Sequence, residues 1–184
     1  LGFSMYQVDS ENILAKVRDD YEIIQVGVEQ DVDVLLLNTC GFIGDAKEES
    51  IQAILEAAER KKEGKVGRLL VCGCLSQRYM DQMPELIPEV DGWYGAREIA
   101  PIVEALGVKM DRERRNDRVI PGKKFPYAYL KISEGCDRRC SYCAIPFIRG
   151  AHRSVPMEDL VAEASQLAAS GVKELIVIAQ DTTY

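Results

Sequence analysis

Short apolar runs the length of a β-strand alternate with apolar stripes at helical spacing along this chain, and that alternation points to parallel sheets built from βα units. Val34-Leu35-Leu36-Leu37 and Leu175-Ile176-Val177-Ile178-Ala179 are typical of the longest runs. Neither approaches the roughly 18 residues that a membrane-crossing helix needs, so no membrane partner is expected. Ile13, Leu14 and Val17 predict a helix over 8–18, with Asp9 or Ser10 as its N-cap. Residues 21–26 and 32–37 read as strands. Ile51, Ile54, Leu55 and Ala58 form one stripe of a helix running from Asp45 to about Lys62, which Gly64 stops. A strand over 68–72, a short helix over 76–82, a strand over 92–94 and a helix over 97–106 complete a first domain of residues 1–108. Its first strand is expected to lie before Leu1. Trp93 reads as core.

Composition shifts between 109 and 124, where seven Lys or Arg stand against three Asp or Glu without apolar periodicity. This stretch reads as a charged, solvated linker, with RNA contact as the alternative. Beyond it, 127–132 is a strand, 157–170 a helix with Leu160, Val161, Ala164 and Leu167 on one face, and 174–179 a second strand. Together these make one βαβ crossover. Two strands do not close a core, so 125–184 is expected to be the beginning of a larger domain. The chain opens on Leu1 without the layout of a secretory signal, so a longer parent and a reducing, cytoplasmic setting for the 6 cysteines are expected. The net charge of −7 disfavours a general nucleic-acid binder and suits a basic partner.

Cys136, Cys140 and Cys143 follow a strand in the spacing Cys-x3-Cys-x2-Cys, and chance produces such a match with a probability on the order of 0.006. Thiolates suit zinc or an iron–sulfur cluster. Zinc wants a fourth protein ligand, which His152, the single histidine, stands near enough to supply as Cys3His. A 4Fe–4S cluster with three cysteines leaves one iron open to a small molecule.

The string Gly135-Cys136-Asp137-Arg138-Arg139-Cys140-Ser141-Tyr142-Cys143 resembles the cluster loop of radical S-adenosylmethionine (SAM) enzymes. In that superfamily SAM chelates the open iron, and an electron from the cluster cleaves it to a 5'-deoxyadenosyl radical. The likeness extends along nearly the whole chain. Asn38-Thr39-Cys40-Gly41-Phe42-Ile43, Gly73-Cys74-Leu75-Ser76-Gln77-Arg78-Tyr79, Lys131-Ile132-Ser133-Glu134-Gly135-Cys136 and Ala179-Gln180-Asp181-Thr182-Thr183 resemble the methylthiotransferases in order and spacing. Asp137 and the Ala-Gln-Asp-Thr-Thr string are similar to the branch that modifies an aspartate of a small-subunit ribosomal protein, whereas the branch acting on tRNA adenosine typically carries Asn in both places.

The resemblance implies an α/β protein: an open parallel-sheet methylthiotransferase domain followed by the start of a radical SAM (β/α) barrel. It implies SAM as cofactor, Tyr142 against its adenine, and Gln180 and Asp181 around the ligand. It also implies a second 4Fe–4S cluster in the first domain, with Cys40 and Cys74 as ligands at the carboxyl ends of parallel strands, where open α/β sheets place their sites. The family's third cysteine is replaced by Phe3, which cannot ligate iron, so a weakened, incomplete or absent second cluster is expected. Cys72 would share a face with Cys74 if the strand stays extended, or is a small buried hydrophobe. Arg149, His152 and Arg153 either contact substrate or lie in a solvated loop. An electron donor and a sulfur source are also required, and the sequence names neither. Two other readings remain: a tRNA methylthiotransferase, and a non-catalytic zinc module. The stretch is expected to be inactive without the barrel strands and small β-domain that follow in the family.

Overall fold

The computed structural model describes residues 4–24, 30–109, 117–120 and 126–183, which gather into two compact units. The first unit spans 30–98 and the second joins 4–24 to 99–183. Among the described residues no helix is long and apolar enough to cross a membrane.

The first unit is a three-stranded parallel sheet of β1 (Val32–Thr39), β2 (Val66–Gly73) and β3 (Gly92–Trp93), with β2 central. Strand β2 is the most buried, its residues from Leu69 onward all enclosed, as expected of a parallel strand covered on both faces. Helix α2 (Gly44–Lys62) crosses from β1 to β2 and lays Ile54, Ala57 and Ala58 on Val66, Leu69 and Val71. Leu55, expected in that stripe, is exposed, because the face meeting the sheet is narrower than the stripe. Gly64 ends α2 as expected: at φ +78° it lets its own N–H reach Lys61 O and the Lys65 N–H reach Arg60 O, each at 3.0 Å. The expected helix over 76–82 divides into α3 (Cys74–Arg78) and α4 (Met83–Leu86), with Pro84 in the first turn of α4. Trp93 packs against the core as expected.

In the second unit α1 (Ser4–Val17) packs on α5 (Ile99–Ala105) and on β4 (Tyr127–Lys131). Helix α1 starts well before the expected cap, which places Asp9 and Ser10 inside it and Asp9 in the interior. Residues 21–24, expected as a strand, join no ladder. The Tyr21 hydroxyl instead donates to Leu106 O at 2.8 Å, and 25–26 lie outside the described residues. Strand β4 pairs in parallel with β7 (Glu174–Ile178), with Tyr127 opposite Glu174 and Lys131 opposite Ile178. The crossover between them holds β5 (Ser133–Glu134), α6 (Ile145–Arg149), β6 (Arg153–Ser154) and α7 (Met157–Ala169). Helix α7 buries Leu167 but leaves Val161 exposed, so the expected apolar face is only partly used. Of the charged stretch, 117–120 does not run through solvent: Arg118 is 1% exposed and the Val119 N–H donates to Glu11 O.

Candidate cluster loop and cysteine pair

The chain leaves β4 and β5 at Gly135, whose φ of +77° and close approach to the Gly150 and Ala151 carbonyls admit no side chain. The Cys136 N–H donates to Gly150 O at 3.1 Å and the Cys143 N–H to Cys140 O at 3.0 Å. Cys136 is buried, Cys140 exposed and Cys143 half-buried. Tyr142 stands out at 91% exposed rather than packing into the loop.

Gln180 and Asp181, just past β7, grip this loop. Gln180 accepts the Gly135 N–H and donates to Glu134 Oε1, both at 2.9 Å. Asp181 pairs with Arg138, between the first two cysteines, and its other oxygen accepts the Thr183 N–H and hydroxyl at 3.0 Å. The Arg138 guanidinium, with help from the Thr183 N–H, holds the Asp181 carboxyl down at about 2. Arg138 also faces Cys136 and Cys140 electrostatically, and a cation beside two sulfurs complements bound thiolates.

The sequence reading overlooks the buried charges behind the loop. Lys131 meets Asp9 and Glu134, and Arg149 meets the same two carboxylates at 2.8 and 3.4 Å. Burial opposes the Lys131 ammonium, but Asp9 and Glu134 outweigh it and hold its pKa above the ordinary value. Arg149, expected either at substrate or in a solvated loop, is instead interior, with its guanidinium over the Tyr6 ring. Lys131 and Glu134 sit in the quoted Lys-Ile-Ser-Glu-Gly-Cys string, whereas Asp9, 122 residues before Lys131, reads only as a possible helix cap. The signal was therefore present without its pairing. Arg153 is exposed, and His152 directs Nε2 to Ser154 Oγ at 3.1 Å while its N–H donates to Asp137.

In the first unit, Thr39 lies opposite Gly73, so Cys40 and Cys74 are each the next residue past the paired ends of β1 and β2. The two loops touch: a Cβ on Gly41 would stand 2.7 Å from Cys74 O. Ser50 Oγ accepts the Cys40 N–H at 2.9 Å, and Arg78 donates to Gly41 O at 3.1 Å. Both cysteines are buried. Cys72 is buried too, but the extension that would align it with Cys74 fails, because Gly73 turns at φ +105° and Cys74 opens α3. Phe3 lies outside the described residues.

Among the described residues no three His, Cys, Asp or Glu side chains converge as an ion-holding set. The donor chemistry of the loop nevertheless fits a cluster: three thiols within eight residues, on a backbone pinned at Gly135 and Cys136 and held at Arg138 through its side chain. His152, engaged with Ser154, is not brought to them as a fourth ligand.

Comparison with known proteins matches residues 1–95 to the model of an uncharacterized protein family, UPF0004. The chain belongs to the UPF0004 family. Residues 130–184 of this UPF0004 chain match the radical SAM superfamily, so the stretch from β4 to β7 is the start of a radical SAM domain. The chain is 46% identical over its full length to the ribosomal protein uS12 methylthiotransferase RimO of Christiangramia forsetii, covering 40% of that protein. It is 46% identical to the protein of the same name from Cytophaga hutchinsonii and 47% identical to that from Bacteroides thetaiotaomicron, covering 42% of each. The chain thus spans about two fifths of the curated relatives it matches.

Proposed function

We propose that this chain is part of a radical SAM methylthiotransferase that places a methylthio group on the β-carbon of an aspartate in ribosomal protein uS12. The observation that carries the reading is the combination of full-length 46% identity to uS12 methylthiotransferases with the Cys136/Cys140/Cys143 loop inside the radical SAM match. In it, residues 1–108 are the methylthiotransferase domain and 125–184 the beginning of the radical SAM domain, joined by the charged linker 109–124.

Cys136, Cys140 and Cys143 would hold the SAM-binding 4Fe–4S cluster. When bound, that cluster supplies the electron that cleaves SAM to a carbon radical able to take hydrogen from an unactivated carbon. The protein's own residues set the stage. Gln180 and Asp181 fix the loop, buried Cys136 anchors it inside, and exposed Tyr142 offers a ring face to an adenine. Cys40 and Cys74, which the close approach at Gly41 brings side by side, would be two donors for a second cluster that is weakened, incomplete or absent because Phe3 cannot supply the third.

The test is anaerobic iron and sulfide analysis together with mass spectrometry of a uS12 peptide and of tRNA incubated with SAM and reductant. We expect about four iron and four sulfide per chain. Changing Phe3→Cys should raise the iron, and replacing Cys136, Cys140 and Cys143 by Ala should remove the SAM-binding cluster. In the intact parent enzyme, uS12 gains the methylthio group, and deuterium at the aspartate β-carbon passes into 5'-deoxyadenosine. Zinc without sulfide, or methylthiolation of tRNA instead, would overturn the reading.

A further inference from the structure

Four buried charges in the second unit form a closed ring: Asp9 to Lys131, Lys131 to Glu134, Glu134 to Arg149, and Arg149 back to Asp9. None of the four side chains is more than 14% exposed, and two anions balance two cations. The ring ends on both sides of a single residue. On one side Glu134 accepts from Gln180, whose Oε1 holds the Gly135 N–H. On the other, Arg149 precedes Gly150, whose carbonyl holds the Cys136 N–H. Cys136 is the one buried cysteine of the loop, and its own N–H and that of the preceding Gly135 are both tied to groups the ring fixes.

We propose that Asp9, on a helix far away in sequence, is a positioning residue for Cys136. It acts by neutralising Lys131 and Arg149, which in turn orient Glu134, Gln180 and the Gly150 carbonyl. Remove its charge and two buried cations share one carboxylate, a state that the interior does not tolerate without rearrangement. The rearrangement of least cost draws Glu134 away from Gln180 and frees the Gly135 N–H. The bearing of this on cluster binding rests on the functional reading above, but the ring and its grip on Cys136 do not.

A second buried ion cluster on the same helix supplies the control. Glu11 pairs with Arg118, which also binds Glu163 at 2.8 Å and donates to Tyr129 O, but none of these touches the cysteine loop. The experiment measures alkylation of Cys136 relative to Cys140 by iodoacetamide, read by mass spectrometry, and amide exchange over 132–144. It is done on anaerobic, metal-free protein. Asp9→Asn and Gln180→Ala are each expected to raise the Cys136 rate about tenfold relative to Cys140, while Glu11→Gln, similarly buried, leaves the ratio unchanged. An unchanged ratio in folded Asp9→Asn overturns the proposal, and so does an unchanged ratio in Gln180→Ala even where Asp9→Asn fails to fold. Equal acceleration by Glu11→Gln overturns it as well, since the effect would then be general loosening. Because the readout needs no iron, a chain that passes it yet takes up no cluster keeps the ring and loses the functional reading.

Discussion

Asp181 shows how a single side chain near a strand end sets the geometry of a loop. Its carboxylate, held by Arg138 and the Thr183 N–H, keeps its charge in the folded chain to about pH 2, against 3.8 ordinarily. The contribution of the pair to stability is therefore complete above the ordinary value and disappears as pH falls from there through about 2. Arg138 is exposed, so this contribution is small, but the titration itself is measurable. A carbon-detected NMR titration of Asp181 should find its midpoint near 2, returning toward 3.8 in Arg138→Ala. A midpoint already near 3.8 in the parent chain would mean that the loop is not held this way. Cys72 gives the opposite lesson at this scale. Alternation along an extended strand put it on the same face as Cys74, and only the backbone turn at Gly73 breaks that alternation. A glycine in a sequence does not announce its φ, so the turn was not readable.

At the scale of elements the alternation of strands and helices was readable because parallel strands are apolar along their length and crossover helices are striped. Helix ends at glycine were readable for the same local reason. The beginning of α1 was not. Asp9 and Ser10 have the composition of a cap, and an interior carboxylate in a helix becomes intelligible only once Lys131 and Arg149 are known to face it. The charged stretch misled in the same way, since a run of alternating charge reads as solvated while Arg118 in fact lies between Glu11 and Glu163. That burial has a measurable consequence. Arg118→Ala would leave Glu11 enclosed without a counter-charge and should cost about 3–5 kcal/mol in urea unfolding. Arg18→Ala removes a half-exposed pair with Asp117 and should cost about 1 kcal/mol or less. Equal losses would contradict the burial of Arg118.

Over the 184 residues together, a net charge of −7 acts at longer range than any of these contacts. On the proposed reading the partner is a basic ribosomal protein, so encounter is steered by opposite charge. Association of a uS12 peptide with this chain should slow by about tenfold between low and near-physiological salt. A salt-independent rate would remove steering from the account. That Cys40 and Cys74 each stand just past a strand, and that Cys136 opens a loop after one, was readable because the strands before them are apolar runs. The ion ring behind Cys136 was not, because its members are scattered along the sequence.

That scatter carries a consequence for the order of events at the ribosome. Asp9 is 122 residues from Lys131 and 140 from Arg149. At about 5–20 residues per second, Asp9 emerges roughly 6–24 s before Lys131, the first of its own two buried cations, exists. In that interval the whole first unit is synthesised and has time to fold. The nascent helix meanwhile keeps two carboxylates in water that the finished protein encloses. Cys136 thus acquires its fixed backbone only when the segment from Lys131 to Gln180 has joined a helix made long before it, and on the proposed reading cluster loading at that loop follows synthesis of Gln180 rather than accompanying that of the cysteines.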